Sequence, residues 1–396
     1  MPRSARERSA RPPISSSQLW PAARSGAFEH MSLKTCPFDP LTARRFVDRR
    51  RPARYRGGMA YRLTRSESIH QAALRIVDEE LGQAIARLRE AHPDAPDTHT
   101  RVHAARKAIK RTRALARLLR DGLGAGFHRD NLDLRDAARR LAERRDAAVA
   151  ADVFTGLFPE SEGALAVVRE RLAAVRDQAV AGEDALDSAA DDLARVRQRS
   201  ADWPALARGF DALEPGLKAS YRQGRQAMRD AFADPSPEAF HAWRKRVKDL
   251  WYHTLLLQNV WKGVQAAWAE AIEQLSDALG EDHDLEVLRM ALGQHRDLNA
   301  EARRAVLARA DARSAELRAR AWSLGRRLYA ERPRRYIARI SHYWQVWRSG
   351  QPRPAEPRPS RGAEAPKTSL APDPEFICPG DQVAEDMAQK SCDGDD

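Results

Sequence analysis

His103-Ala104-Ala105-Arg106-Lys107-Ala108-Ile109-Lys110 is repeated 138 residues later as His241-Ala242-Trp243-Arg244-Lys245-Arg246-Val247-Lys248. The shared pattern is H-x-x-R-K-x-[IV]-K. Without a gap, the same offset matches Leu118 and Leu119 to Leu256 and Leu257. It also matches Leu141, Glu143, Asp146 and Val149 to Leu279, Glu281, Asp284 and Val287. These make 11 identities between 103–149 and 241–287, where chance gives roughly three or four in a chain this rich in Ala and Arg. The chain carries an internal duplication.

Each copy has the period of a helix. At about 100° per residue, His103, Arg106, Lys107, Lys110 and Arg117 share one face. Ala105, Ala108, Ile109, Thr112, Leu115, Ala116 and Leu119 share the other. In the second copy His241, Arg244, Lys245, Lys248 and Tyr252 lie together, with Ala242, Trp243, Val247, Leu250 and Leu257 mostly behind. Arg246 intrudes on that apolar side. The apolar stripe packs inward, and the basic stripe faces something else.

The paired helices, each followed 40 residues after its His by an E-x-x-D element (Glu143–Asp146 and Glu281–Asp284), resemble the conserved histidine α-helical domain, CHAD. The resemblance covers roughly residues 59–347, with repeats at 59–200 and 201–347. It implies an all-α fold of two four-helix bundles, related by a pseudo-twofold axis around a basic cavity that binds inorganic polyphosphate. Met59-Ala60-Tyr61-Arg62-Leu63 resembles the usual opening of that family, which points to Met59 as the start. Many relatives add a tunnel-like catalytic domain for triphosphates, and no Glu-x-Glu-x-Lys strand motif of that kind occurs here.

Charge is uneven along the 396 residues. The total of +12 divides into 13 basic and 4 acidic residues over 1–58, 50 and 42 over 59–350, and 5 and 10 over 351–396. Most charge in the middle is therefore expected to be paired or solvated, and only the local stripes argue for an anionic partner. Cys36, Cys378 and Cys392 lie outside the duplication without metal-ligand spacing, which argues against a disulfide framework and fits a reducing cytoplasm. No apolar run is long enough for a membrane span. Residues 1–58 and 348–396 lack an apolar period and are expected to be disordered, the second as a Pro-rich acidic tail. Nothing in the sequence fixes an oligomeric state.

Along the chain, a helix is expected over 66–90, stopped by Pro93 and Pro96. Asp97 or Thr98 can cap the first motif helix, which Gly122, Gly124 and Gly126 end. A third helix runs through about Val153, and a fourth spans 162–199 with a kink near Gly182. The second half repeats the plan: a helix from Pro204 to Phe232, then Ser236-Pro237-Glu238 starting the motif helix. Further helices follow at about 265–296, 299–330 and 334–347.

Arg or Lys every three or four residues places cations about 5–6 Å apart, and they repel unless an anion sits between them. Arg clamps phosphate oxygens in bidentate fashion and Lys adds a compact charge. A second row, Lys218, Arg222, Arg225 and Arg229, precedes the second motif at i, i+4, i+7 and i+11. The expected polyphosphate contacts are His103, Arg106, Lys107, Lys110, Arg113, Arg117, Arg222, Arg225, His241, Arg244, Lys245, Lys248 and Tyr252. For one basic helix the ordinary explanation is a solvated face paired with neighbouring carboxylates. A duplicated order of charges is harder to explain so, because solubility accepts almost any order.

His103 and His241 each share a face with three cations, which disfavours their protons until an anion arrives. The alternative is a packed, structural histidine. Glu143, Asp146, Glu281 and Asp284 can be read as catalytic carboxylates, but salt-bridge partners that orient the motif Arg residues are the better reading. His283 and Asp284 point about 100° apart and do not form a helical metal pair. No cofactor, metal or catalytic residue is expected, since no nucleophile elbow or P-loop occurs.

Three functions follow in order: a non-enzymatic polyphosphate-binding protein targeted to polyphosphate granules; a general polyanion or nucleic-acid binder, which would normally interleave stacking aromatics; and a metal-dependent phosphohydrolase or an accessory to one.

Overall fold

The computed structural model describes residues 61–90, 97–141, 143–178, 183–295 and 297–350, with the side chains of 143–145 and 183–184 outside the description. The expected extension over 1–58 and the tail beyond Gly350 lie outside the described residues. Among these there are twelve α-helices and no strand: α1 (Ile69–Leu88), α2 (Thr98–Leu118), α3 (Arg120–Leu123), α4 (Ala125–Arg140), α5 (Glu143–Leu157), α6 (Ala164–Gln178), α7 (Glu183–Ser200), α8 (Glu214–Ala233), α9 (Pro237–Leu256), α10 (Lys262–Gln294), α11 (Ala300–Leu328) and α12 (Pro333–Ser349).

The helix starts follow local chemistry. Ser68 closes a capping box with Gln71, Asp97 accepts from the Thr100 N–H, and Ser236 accepts from the Ala239 N–H ahead of Pro237. Each satisfies a backbone donor that a helix start otherwise leaves open. Between α3 and α4 only Gly124 has a positive φ, at 55°. Gly122 and Gly126, expected as helix enders, sit inside α3 and α4 instead.

Three expected helices differ from those observed. The third breaks after Arg140 into α4 and α5, and the fourth divides into α6 and α7, with Gly182 itself outside the described residues. The helix expected from Pro204 starts only at Glu214. Residues 204–208 are irregular and Gly209–Ala212 form a 3₁₀ turn, with Gly209 at φ 64° and Pro215 in the first turn of α8. A proline fits a helix's first turn, where its missing N–H costs nothing.

Helices α1, α2, α4 and α7 each pack on two of the others, and so do α8, α9, α10 and α11. The motif helices α2 and α9 touch each other, and α8 touches both. The hairpin α5–α6 belongs by sequence to the first copy, yet it packs on α10 and α11 of the second. The matching residues of the second copy run on as the unbroken helices α10 and α11. At 138 residues' offset, Leu279 and Gly280 lie inside α10 where the first copy breaks.

Buried ion pairs fix some of these contacts. Glu80 of α1 meets Arg111 of α2 at 2.8 Å. Asp130 of α4, nearly fully buried, accepts from Arg199 of α7 at 2.9 Å and from the Trp203 indole at 3.0 Å. A buried carboxylate so bonded is held rather than penalised. Near the end of the chain, Tyr221 and Tyr336 stack at 4.2 Å and anchor α12 on α8.

Candidate functional site

The apolar faces of both motif helices are buried as expected: Ala105, Ala108, Ile109, Thr112, Leu115, Ala116 and Leu119 in α2 and its cap, and Trp243, Val247, Leu250 and Leu257 in α9 and its cap. Ala242 is the exception and is exposed. On the other face His103, Lys110 and Lys245 are exposed, while Arg106, Lys107, Arg113, Arg117, His241, Arg244 and Lys248 are half-buried. Tyr252 departs from the expectation. It is buried, with its ring edge-on to Tyr61 at 6.2 Å and beside Trp251 at 5.0 Å, so it packs instead of facing a ligand.

Several cations are anchored to the scaffold. Arg106 donates to the Ala138 carbonyl of α4 at 3.1 Å. Its counterpart Arg244 lies against Gly280 of α10, where an added Cβ would stand 3.7 Å from its guanidinium. Arg113 donates to Asn131 at 3.1 Å, and burial, reinforced by the charge of Arg117, pushes its pKa down to about 10. The Lys248 ammonium sits 4.8 Å from the centre of the Trp251 ring, a cation–π contact. Lys107 and Lys248 both lie within electrostatic reach of Glu273 on α10.

Of the four expected orienting carboxylates, one is seen to be engaged outside the motif. Glu281 binds Arg313 of α11 at 2.7 Å, outside the motif. Asp146 is exposed and has no ion pair among the described residues, Asp284 is buried within α10, and the Glu143 side chain lies outside the described residues. The carboxylate that joins the two motif helices is Asp249, which sequence reasoning missed. Nearly buried, it binds Arg117 of α2 and, at 3.6 Å, Arg246 of α9. Arg246, which breaks the apolar stripe, was the available signal: an arginine on an inner face asks for a counter-ion there.

Asp249 borders a cavity of about 770 Å³ between the C-terminus of α2, the first turns of α8 and the middle of α9. Arg117, Lys218, Arg222, Arg246 and the buried His253 also line it. The second basic row thus meets the motif helices at Lys218 and Arg222, while Arg225 and Arg229 continue along α8. Elsewhere Arg87, Arg171 and Arg289 pair with carboxylates, whereas Arg309, Arg320 and Arg327 of α11 have none within 4.0 Å among the described residues. On α2, α8 and α9, Lys218, Arg222, Arg225, Arg229, Arg113 and Lys245 likewise have no carboxylate within 4.0 Å among the described residues.

His241 stands 4.4 Å from His283 of α10, ring centre to ring centre. Burial, followed by Lys245, His283 and Arg244, pushes its pKa down to about 4. His103 is exposed and stacks on His99 at 6.5 Å. The two motif histidines therefore occupy different environments despite their matched positions. Among the described residues no three His, Cys, Asp or Glu side chains gather to hold a metal, and no helix is long and apolar enough to cross a membrane.

The family model for the CHAD domain matches residues 75–293, more than half of the chain. The chain belongs to the CHAD family. Among solved structures it is similar to the crystal structure of the CHAD domain from the plant Ricinus communis, with 19% identity, covering 69% of this chain and 96% of that one, at a TM-score of 0.47. Comparison with curated proteins gives no match. The CHAD family model spans both motif helices and stops at the end of α10.

Proposed function

We propose that this CHAD protein binds inorganic polyphosphate without covalent chemistry, and through that binding associates with polyphosphate granules. The reading takes α1, α2, α4, α7 and α8, α9, α10, α11 as two four-helix bundles from the duplication, with the basic cavity where α2, α8 and α9 meet. The observation that carries it is the set of cations left without carboxylates. Among the described residues, six Lys or Arg side chains gathered on α2, α8 and α9, three helices that touch one another, have no ion-pair partner. A solvated, self-neutralising surface would have interleaved them with Asp and Glu. An extended anion with a charge at every unit supplies the missing partners at the spacing of helix turns.

The test is competition at two salt concentrations, long-chain polyphosphate against single-stranded DNA and RNA of matched charge, on the full chain. Polyphosphate is expected to win at near-physiological salt. Equal or better binding of nucleic acid would replace this reading with a general polyanion surface. Phosphate release from bound polyphosphate in the presence of added divalent cations would replace it with hydrolysis.

A further inference from the structure

Where α12 runs past the start of α10, the molecule carries an aromatic surface that polyphosphate binding does not use. Trp261, just ahead of α10, is 50% exposed, and Val346 of α12 is 74% exposed. Beside them lie the half-buried rings of Tyr343 and Trp347. Trp261 meets Tyr343 edge-on at 4.7 Å, and Trp347 packs on Trp344 at 5.1 Å. The support beneath is fixed: Arg339 lies over Trp268 at 5.4 Å and over Tyr343 at 5.8 Å, and Glu331 holds it at 2.7 Å. An exposed apolar face rimmed by polar groups marks an interaction site.

Cations rim this face without counter-ions. At about 100° per residue, Arg332, Arg335, Arg339, Tyr343 and Val346 fall on one flank of α12 and its cap. Arg332, Arg335 and Lys262 are exposed and have no carboxylate within 4.0 Å among the described residues. Arg65, also exposed, reaches the other end of α12, where an added Cβ on Gly350 would stand 3.3 Å from it. No Asp or Glu occurs within α12, and Glu331 ahead of it is taken by Arg339. On α10, Glu270 follows Trp268 by two residues, which turns it to the opposite side of that helix.

Charge and side-chain type together decide the occupant. A second copy of the chain would set these cations against their own kind. A nucleic-acid strand stacks bases on open rings, but Tyr343 is covered by Arg339 and Trp261, and Val346, the most exposed of the group, has no ring. Trp and Tyr around an aliphatic side chain, ringed by Lys and Arg, settle at the boundary between lipid headgroups and acyl chains. We infer that this face seats on the surface of an anionic phospholipid bilayer. Trp261, Val346 and Trp347 lie at the acyl boundary, and Lys262, Arg332 and Arg335 lie among the headgroups. The contact is peripheral and uses none of the α2, α8 and α9 cations, so it stands independently of polyphosphate binding.

The experiment is co-sedimentation of the full-length protein with vesicles of phosphatidylcholine alone and of phosphatidylcholine mixed with phosphatidylserine. Binding is expected to the mixed vesicles only, weakening as salt rises. Arg332→Gln with Arg335→Gln should weaken it roughly 30-fold, from the lost attraction of two basic side chains to such a surface. Val346→Glu should weaken it roughly tenfold through lost apolar burial. These positions are exposed, so circular dichroism should be unchanged, and polyphosphate binding should be retained. Four results would each overturn the inference. Equal binding to both vesicles would remove the anionic lipid, and binding to neither would leave the face to an acidic protein partner. Variants that bind mixed vesicles as tightly as the parent, or that lose polyphosphate as well, would remove this face as a separate lipid contact. A parent dimer that Val346→Glu converts to monomer would give the face to a second copy.

Discussion

Gly216 lies in the first turn of α8, where that helix crosses the C-terminal end of α2. A Cβ placed there would stand 1.9 Å from the Leu118 carbonyl oxygen, 2.6 Å from its carbonyl carbon and 2.8 Å from its Cα. All three are backbone atoms, so no side chain can turn aside. Ordinary carbon contacts begin at about 3.5 Å, which requires α8 to withdraw from α2 by about 1.5 Å at this crossing. Overpacking of this kind costs ~1–3 kcal/mol, and a clash between two backbones belongs at the top of that range. Replacing a helical glycine by alanine returns up to ~1 kcal/mol, leaving a net loss of about 2 kcal/mol for Gly216→Ala. The loss should appear as a lower denaturant midpoint at unchanged slope, and as a thermal midpoint about 4–8 °C lower. Gly263→Ala in the first turn of α10 is the control, because its Cβ would meet nothing within 4 Å. It should be neutral or stabilising by up to ~1 kcal/mol. A Gly216→Ala protein as stable as the parent would mean that the α2–α8 crossing is not this close, and the cavity built on it would have to be redrawn.

Reversing both motif arginines, Arg106→Glu with Arg244→Glu, should abolish polyphosphate binding and leave the circular dichroism of the helices unchanged; retained affinity would remove the duplicated stripe from the site. Changing Arg225 and Arg229 together to Met should reduce the slope of log affinity against log salt by about 1.4, taking ~0.7 per phosphate contact from single-stranded nucleic acids. An unchanged slope would mean that the outer part of the α8 row does not touch the ligand. His241 has its pKa lowered from 6.5 to about 4, which gives a signed effect on stability. Above pH 6.5 the ring is neutral in both folded and unfolded chains. As pH falls from 6.5 to 4 the unfolded chain takes up a proton that the folded one resists, so stability falls, and below about 4 this contribution is constant. His241→Gln should flatten that part of the pH dependence of the denaturant midpoint; an identical slope would mean that this ring titrates normally in the fold.

The duplicated motif made the fold class legible, because a period of 3.6 with matched charges leaves little room for strands. Both motif helices begin where Asp97 and Ser236 cap them, since capping is a local reaction of side chain with backbone. Breaks set by packing were harder to read. Gly280 in the middle of α10 would be expected to weaken that helix, yet α10 runs through it and accommodates Arg244 beside it, while the matching stretch of the first copy breaks after the Ala-Arg-rich end of α4. The site divides in the same way. The row of cations could be read from spacing alone, but Asp249 could not be matched to Arg117, because 132 residues separate them and only the contact of α2 with α9 brings them together. Tyr252 was misplaced because a helical wheel shows angle and not depth: the stripe it continues passes under Tyr61.

The exchange of the α5–α6 hairpin bears on how the chain acquires its structure. Ala150, Val153 and Phe154 of α5 and Val168 and Leu172 of α6 are buried, and the helices that cover them begin more than 100 residues later. A ribosome that has released only the first copy therefore presents an apolar hairpin with nothing to close on. That hairpin stays open to chaperones, proteases and other nascent chains until α10 and α11 emerge. The two copies are consequently inseparable as folding units, and cutting the gene between them would yield two insoluble halves instead of two small domains.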